Sequence, residues 1–137
     1  MKNQTTQEVE DFVAEYQKKK EIATKWGVPL VRFAEASDPL FDQLRTAVSP
    51  THAVPHDLLA NAGTVVSFFL PFPKSASVTN VKERLSSTEW AVSYIETNEL
   101  IQQLSLHLKE VFADAGEEVV TIPATHNWIE KKLISNW

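Results

Sequence analysis

Apolar positions along the chain alternate between a helical and an extended period, and the changes of period mark out its elements. Val9, Phe12, Val13, Tyr16, Ala23 and Trp26 recur at helical spacing, with the capping-box pair Thr5 and Glu8 ahead of them and Gly27 and Pro29 behind. This predicts a first helix that stops at Gly27. Residues 28–33 predict a short extended piece. Asp38 as cap and Pro39 in the first turn then predict a second helix, with Leu40, Phe41, Leu44 and Val48 inward and Ser49-Pro50 ending it. Residues 54–73, VPHDLLANAGTVVSFFLPFP, open on a proline-led helical turn and pass a glycine hinge at Gly63 into the most apolar stretch of the chain. Thr64, Val65, Val66, Phe68, Phe69 and Leu70 are β-branched, aromatic or aliphatic, which predicts a central strand buried on both faces. Pro71 and Pro73 lack the backbone N–H that a ladder needs, so the strand ends there.

Residues 74–87 are polar and rich in Ser and Thr, the composition of an exposed, mobile connection with one helical turn near 81–85. Ser86 and Glu89 form a second capping box. From Trp90 the stripe Ala91, Tyr94, Ile95, Asn98, Ile101, Leu104, Leu108, Val111 and Phe112 predicts the longest helix, running to Gly116. Residues 117–123 read as a second buried strand. Asn127 with Glu130 opens a last helix carrying Trp128, Ile129 and Leu133 inward. Ile134 and Trp137 leave apolar surface on that helix with nothing to terminate it, so it reads as truncated: either the protein continues or a partner covers residues 128–137, from Trp128 to Trp137. The alternation of helices and strands predicts one α/β domain over residues 1–137. Its small mixed or parallel sheet would be flanked by helices, the long helix serving as a right-handed crossover.

Composition narrows the functions. At 137 residues and 43% hydrophobic, the chain is long enough for one core and short for two domains. Thirteen basic against eighteen acidic residues give a net charge of −5, which removes the broad attraction that drives binding to nucleic acid or anionic membrane. The lysine clusters at 18–20 and 131–132 read as solvated helix faces. The absence of cysteine excludes disulfides, thiolate zinc sites, a thiol nucleophile and an iron–sulfur cluster held by this chain alone. No leader-like N-terminus and no membrane-length apolar run are present, so the expected location is cytoplasmic.

Candidate chemistry is sparse. His52 and His56 have the i,i+4 spacing of a helix-mounted metal pair, but Pro55 between them disfavours helix at Val54, and no metal set is assigned. His107 reads as a half-exposed structural histidine. His126, after a strand end at residues 123–125, is the best lone acid–base candidate, against a capping role. Asp38, Asp42, Asp57, Glu96 and Glu99 show no spacing that implies a shared site. Phosphate-cradling glycine motifs and a serine-nucleophile elbow are absent, so no catalytic residue is assigned. Asn98 interrupts an apolar stripe one turn after Tyr94, and a buried asparagine needs partners from the protein or a ligand. Trp90, Tyr94 and Asn98 on one side, with Pro71, Phe72 and Pro73 on the other, could face one cleft suited to a large planar ligand or simply pack as core.

The segment Leu58-Leu59-Ala60-Asn61-Ala62-Gly63-Thr64-Val65-Val66, leading into Phe69-Leu70-Pro71-Phe72, resembles a segment of the epoxyqueuosine reductases and related iron–sulfur proteins. In that family a Leu-Leu-Pro-Gly-Ala run precedes an apolar strand and a proline–aromatic exit. The later order of Trp90, Tyr94, a long helix, Gly116 and Pro123 is similar to the same N-terminal domain. The resemblance implies a nitroreductase-like α/β domain that contributes to a corrinoid site, with Pro71, Phe72, Pro73, Tyr94 and Asn98 as the residues facing cobalamin. It implies, too, a following ferredoxin-like domain that carries a pair of four-iron clusters. Ala60-Asn61 stands where the family has proline–glycine, and the family's acidic proton donor has no counterpart around residues 121–125. With no cysteine, the chain is expected to be inactive alone. The competing expectation is a non-enzymatic interaction domain that dimerises or docks through residues 128–137.

Overall fold

The computed structural model describes residues 2–81 and 84–122, together with the backbone of 128–129 and 134–135. The element order is α1 (Lys2–Tyr16), β1 (Leu30–Glu35), α2 (Leu40–Ala47), α3 (Pro55–Leu58), β2 (Thr64–Phe69), α4 (Lys74–Asn80), α5 (Thr88–Asp114), β3 (Trp128–Ile129) and β4 (Ile134–Ser135). The class is mixed α/β, as the alternation predicts. No described helix is long and apolar enough to cross a membrane. The chain divides into two compact units, Met1–Arg32 with Ser67–Val111, and Phe33–Val66 with Phe112–Trp137.

In the first unit the core is helical. Val9 and Val13 of α1 and Leu100 and Leu104 of α5 are essentially fully buried, with Tyr16, Trp26, Ala76 and Leu108 nearly so. Burying each of the large aliphatic side chains contributes about 1.5–3 kcal/mol relative to leaving it in water. Glu8 and Phe12 fix the register of α1 against α5 by meeting His107, the carboxylate at 3.1 Å from Nε2 and the two rings stacked at 4.7 Å.

The first helix is shorter than its apolar repeat. It ends at Tyr16, ten residues before Trp26, because after the Gln17 N–H on Val13 O the amides bond three residues back: Lys18 N–H to Glu15 O and Lys19 N–H to Tyr16 O, both turn-like. Three lysines near this end find separate partners. Lys18 pairs with Glu15, Lys19 lies 4.2 Å over the Tyr16 ring, and Lys25 reaches back to the Gln17 carbonyl, where a cation suits a helix C-terminus. The helix also begins before Thr5, which is buried within it and does not cap it.

β1 and β2 pair as a two-stranded sheet. Gly27 N–H donates to Pro71 O at 3.0 Å just before β1 and just after β2, and Ala36 N–H donates to Gly63 O at 3.1 Å beyond the opposite ends. The start of one strand therefore meets the end of the other, and the pair is antiparallel. β3 and β4 are antiparallel as well, with Trp128 opposite Ser135 and Ile129 opposite Ile134. These pairings overturn the expected parallel sheet. They also correct the central strand, since a two-stranded ribbon has no interior position: Leu70 is buried but Phe69 is 61% exposed.

Residues 117–122 form no strand, and Val120 and Ile122 are about half exposed, so among the described residues no strand pairs with this β-prone stretch and α5 makes no crossover to it. Within the expected last helix, residues 128–129 and 134–135 are instead paired strands, so at these positions strand pairing outweighs a local capping signal. Asn127, Glu130, Leu133 and Trp137 lie outside the described residues. The polar connection instead contains a helix, α4.

In the second unit, local signals hold. Asp38 Oδ1 accepts the Leu40 N–H at 2.9 Å and opens α2, although Leu40 itself points outward at 64% exposure. Pro55 opens α3, where its missing N–H costs nothing. Asp57 closes that turn by accepting the Val54 N–H at 2.9 Å, and it pairs with Arg45 of α2 at 2.6 Å. Those hydrogen bonds, from Val54 first and Arg45 second, hold the Asp57 carboxyl below the usual carboxylate range.

Candidate functional site

The exit of β2 lies within the first unit. Leu70 is buried, and Pro71 accepts the Gly27 N–H through its carbonyl while its ring crowds the same residue. A Cβ at Gly27 would stand 3.2 Å from Pro71 Cβ, so this glycine permits the close approach of the two segments. Phe72 then meets Trp90 in the first turn of α5, edge to face with ring centroids 5.0 Å apart. Pro73 follows as the N-cap of α4 in extended conformation, so the two prolines fix the backbone on either side of Phe72.

Along α5, Tyr94 and Asn98 follow Trp90 at successive i+4 positions, on the same side of the helix. Both face outward. Tyr94 is 60% exposed and Ile95 is 68% exposed, while Asn98 is exposed and donates its Nδ2 to Tyr94 O at 2.9 Å. The sequence reading had both inward and Asn98 buried; the correction is a rotation of the inner face. Of the five residues singled out for a ligand, Pro71, Phe72 and Pro73 are contiguous at the β2 exit, and Tyr94 and Asn98 extend the Trp90 side of α5.

The true inner face of this half of α5 is polar. Ser93 and Thr97 are buried there, against the irregular segment 23–26. Trp26 donates Nε1–H to Thr97 Oγ1 at 2.7 Å, and Thr97 Oγ1 itself lies 2.6 Å from Ser93 O and bonds it. Thr24 Oγ1 bonds Ser93 Oγ at 3.3 Å. Glu96 Oε1 and Oε2 accept the N–H groups of Ala23 and Thr24 at 2.9 and 2.7 Å. Partial burial pushes the Glu96 carboxyl up, yet the hydrogen bonds from the Thr24 side chain and from the Ala23 and Thr24 backbone outweigh it, and the net shift is downward. Burial raises the Tyr16 hydroxyl nearby, assisted by the negative charges of Glu99, Glu96 and Glu21. The sequence reading missed this anchor, although a buried Trp N–H always seeks an acceptor and Ser93 and Thr97 share one helical face.

The histidines do not converge. His52, in the turn before α3, places Nδ1 2.7 Å from Ala53 O, and His56 places Nε2 3.1 Å from Ala62 O. His107 is the half-buried partner of Glu8 and Phe12 described above. His126 lies outside the described residues. No group of three or more metal-ligating side chains occurs among the described residues. Chemically, the Phe72, Trp90 and Tyr94 set offers aromatic surface and the Asn98 amide offers hydrogen bonds, which fits the face and amide-bearing rim of a large planar ligand. It includes no imidazole or thiolate that would ligate a metal at its centre. The chain matches no protein-family model, no curated protein and no solved structure at a significant level.

Proposed function

We propose that the chain is the N-terminal α/β part of an epoxyqueuosine reductase-like iron–sulfur oxidoreductase of the cytoplasm, nitroreductase-like in its finer fold. In this reading it contributes Pro71, Phe72, Pro73, Tyr94 and Asn98 to one edge of a cobalamin site. One observation carries the reading: residues 58–72, whose Leu-Leu run, apolar strand and proline–aromatic exit match the family's order, and whose exit Phe72 meets Trp90. The corrinoid would supply cobalt redox chemistry, with electrons from clusters on a following ferredoxin-like domain, because this chain has no cysteine to hold one. Its own residues would bind and orient the cofactor: aromatic side chains against the ring edge, and Asn98 toward a peripheral amide. Titration with hydroxocobalamin, followed by the corrin absorbance, tests this. The expected result is a saturable spectral change that weakens in Tyr94→Ala and Asn98→Ala; unchanged spectra at high protein concentration reject it.

A second reading has its own observation. Tyr94 and Ile95, consecutive on α5, are each more than half exposed, and such apolar surface suits a docking face of a non-enzymatic interaction domain. Light scattering over a range of concentrations separates the two. Self-association that Ile95→Glu abolishes supports docking, and a strictly monomeric chain that binds cobalamin removes it.

A further inference from the structure

The β2 exit and the first turn of α5 are joined by more than the Phe72–Trp90 contact. Ser75, in the first turn of α4, donates its hydroxyl to Glu89 Oε1, and Thr79 Oγ1, one turn on, lies 3.4 Å from Glu89 Oε2. Thr79 Oγ1 is also 3.0 Å from Ser87 Oγ, whose own oxygen accepts the Trp90 N–H at 3.1 Å. The Ser87 N–H in turn donates to Asn80 Oδ1 at 3.0 Å. Ser87 is therefore the side-chain cap of α5, one residue after the predicted cap Ser86, and Glu89 is free of the capping box and turned toward α4. Apart from the Trp90 N–H on Ser87 Oγ, every link in this set connects α4 to residues 87–89. Phe72 stands two residues before α4 and Trp90 directly follows Glu89, so the set fixes the two elements that carry the aromatic pair.

We propose that Glu89 is a positioning residue for the aromatic edge: by accepting from Ser75, with Thr79 bridging to Ser87 beside it, it seats α4 on the first turn of α5 and sets Phe72 against Trp90. An acidic side chain suits the task twice. One carboxylate oxygen accepts the Ser75 hydroxyl proton while the other faces Thr79 Oγ1, whose nearer partners are Ser75 O, Ala76 O and Ser87 Oγ, and the carboxylate charge lies in the first turn of α5, where the helix N-terminus favours an anion. The inference deepens the cobalamin reading, since that ligand would meet the edge that Glu89 sets, but its first readout does not need the ligand.

The experiment uses the full chain labelled with fluorotryptophan, the Trp90 fluorine resonance being assigned by its loss in Trp90→Phe. Glu89→Ala and the pair Ser75→Ala with Thr79→Ala should each move the Trp90 resonance in the direction that Phe72→Ala moves it and leave the Trp26 resonance in place. Glu89→Gln, which keeps an acceptor oxygen, should restore part of the shift. Unmoved Trp90 signals in both Glu89→Ala and the double variant overturn the proposal, as does a Trp26 shift of equal size, which would mark general unfolding. The ligand arm is separate: in a chain that binds hydroxocobalamin, Glu89→Ala should weaken binding roughly tenfold, the scale of losing one charge-assisted hydrogen bond. Loss of the Trp90 signal change with binding intact overturns the positioning role, whereas absence of binding in the wild type overturns only the cobalamin reading.

Discussion

The two halves of α5 solve the same packing problem with different chemistry. Its carboxyl half buries Leu100, Leu104 and Leu108, a plain apolar stripe. Its amino half buries Ser93 and Thr97 and turns Tyr94 and Ile95 to water. An apolar stripe holds a helix by area alone and tolerates rotation. The hydroxyl face holds by direction, since Thr97 must meet Trp26 Nε1–H and Glu96 must meet two adjacent backbone amides. The lesson is that the more hydrophobic side of a helix is not always its inner side: where an irregular segment with unpaired N–H groups crosses, acceptors are needed beneath it, and the aromatic residues are released to the surface.

This contrast can be broken from either half. Leu104→Ala should have the largest effect, about 2–5 kcal/mol of stability lost to transfer and cavity terms, measured by urea denaturation. Thr97→Val keeps the shape but orphans the Trp26 N–H; a loss of about 1–3 kcal/mol with an altered Trp26 fluorescence is expected. A stability equal to wild type would show that the inner face is held by packing alone. Glu96→Gln should cost about 1 kcal/mol near neutral pH, since one of its two amide contacts then faces a donor and the site is partly solvated. The pH dependence gives the sharper check. The folded pKa of Glu96 lies below its ordinary value of 4.5, so between the two the unfolded chain binds more protons. The contribution is complete above about 4.5 and is lost as pH falls through the folded value. Denaturation midpoints should therefore drop less steeply over that acid range in Glu96→Gln; equal slopes refute the clamp. Tyr94→Ala should change stability by no more than about 0.5 kcal/mol, as for other exposed positions, while weakening cobalamin binding. A large stability loss there would mean that the outer face is core after all.

The same division between local and distant causes separates what was legible in the chain from what was not. Gly116 ends α5 as read, with φ of +81°, the Glu117 N–H on Phe112 O and the Gly116 N–H on Ala113 O, because a Schellman stop is decided within six residues. Pro55, Asp38 and the strand 64–69 are also local matters and stand where the pattern puts them. The candidate residues Pro71, Phe72 and Pro73 were legible as a strand exit, and Trp90 as its neighbour was a reasonable pairing. Less legible was the side of α5 on which Tyr94 and Asn98 lie, because helical periodicity gives a stripe and not its partner.

By itself, then, the sequence determined the α/β class, the order of most helices and the first two strands, the end of α5 and the absence of any thiolate chemistry, since each follows from residue type or from contacts a few positions apart. Tertiary structure decided the antiparallel pairing of β1 with β2 and the inward turn of Ser93 and Thr97. Both depend on partners far along the chain: Ala36 N–H meets Gly63 O, Thr24 meets Ser93 69 positions on, and Ala23 meets Glu96 73 positions on. Hydrogen bonds at that separation impose a direction that no local periodicity carries.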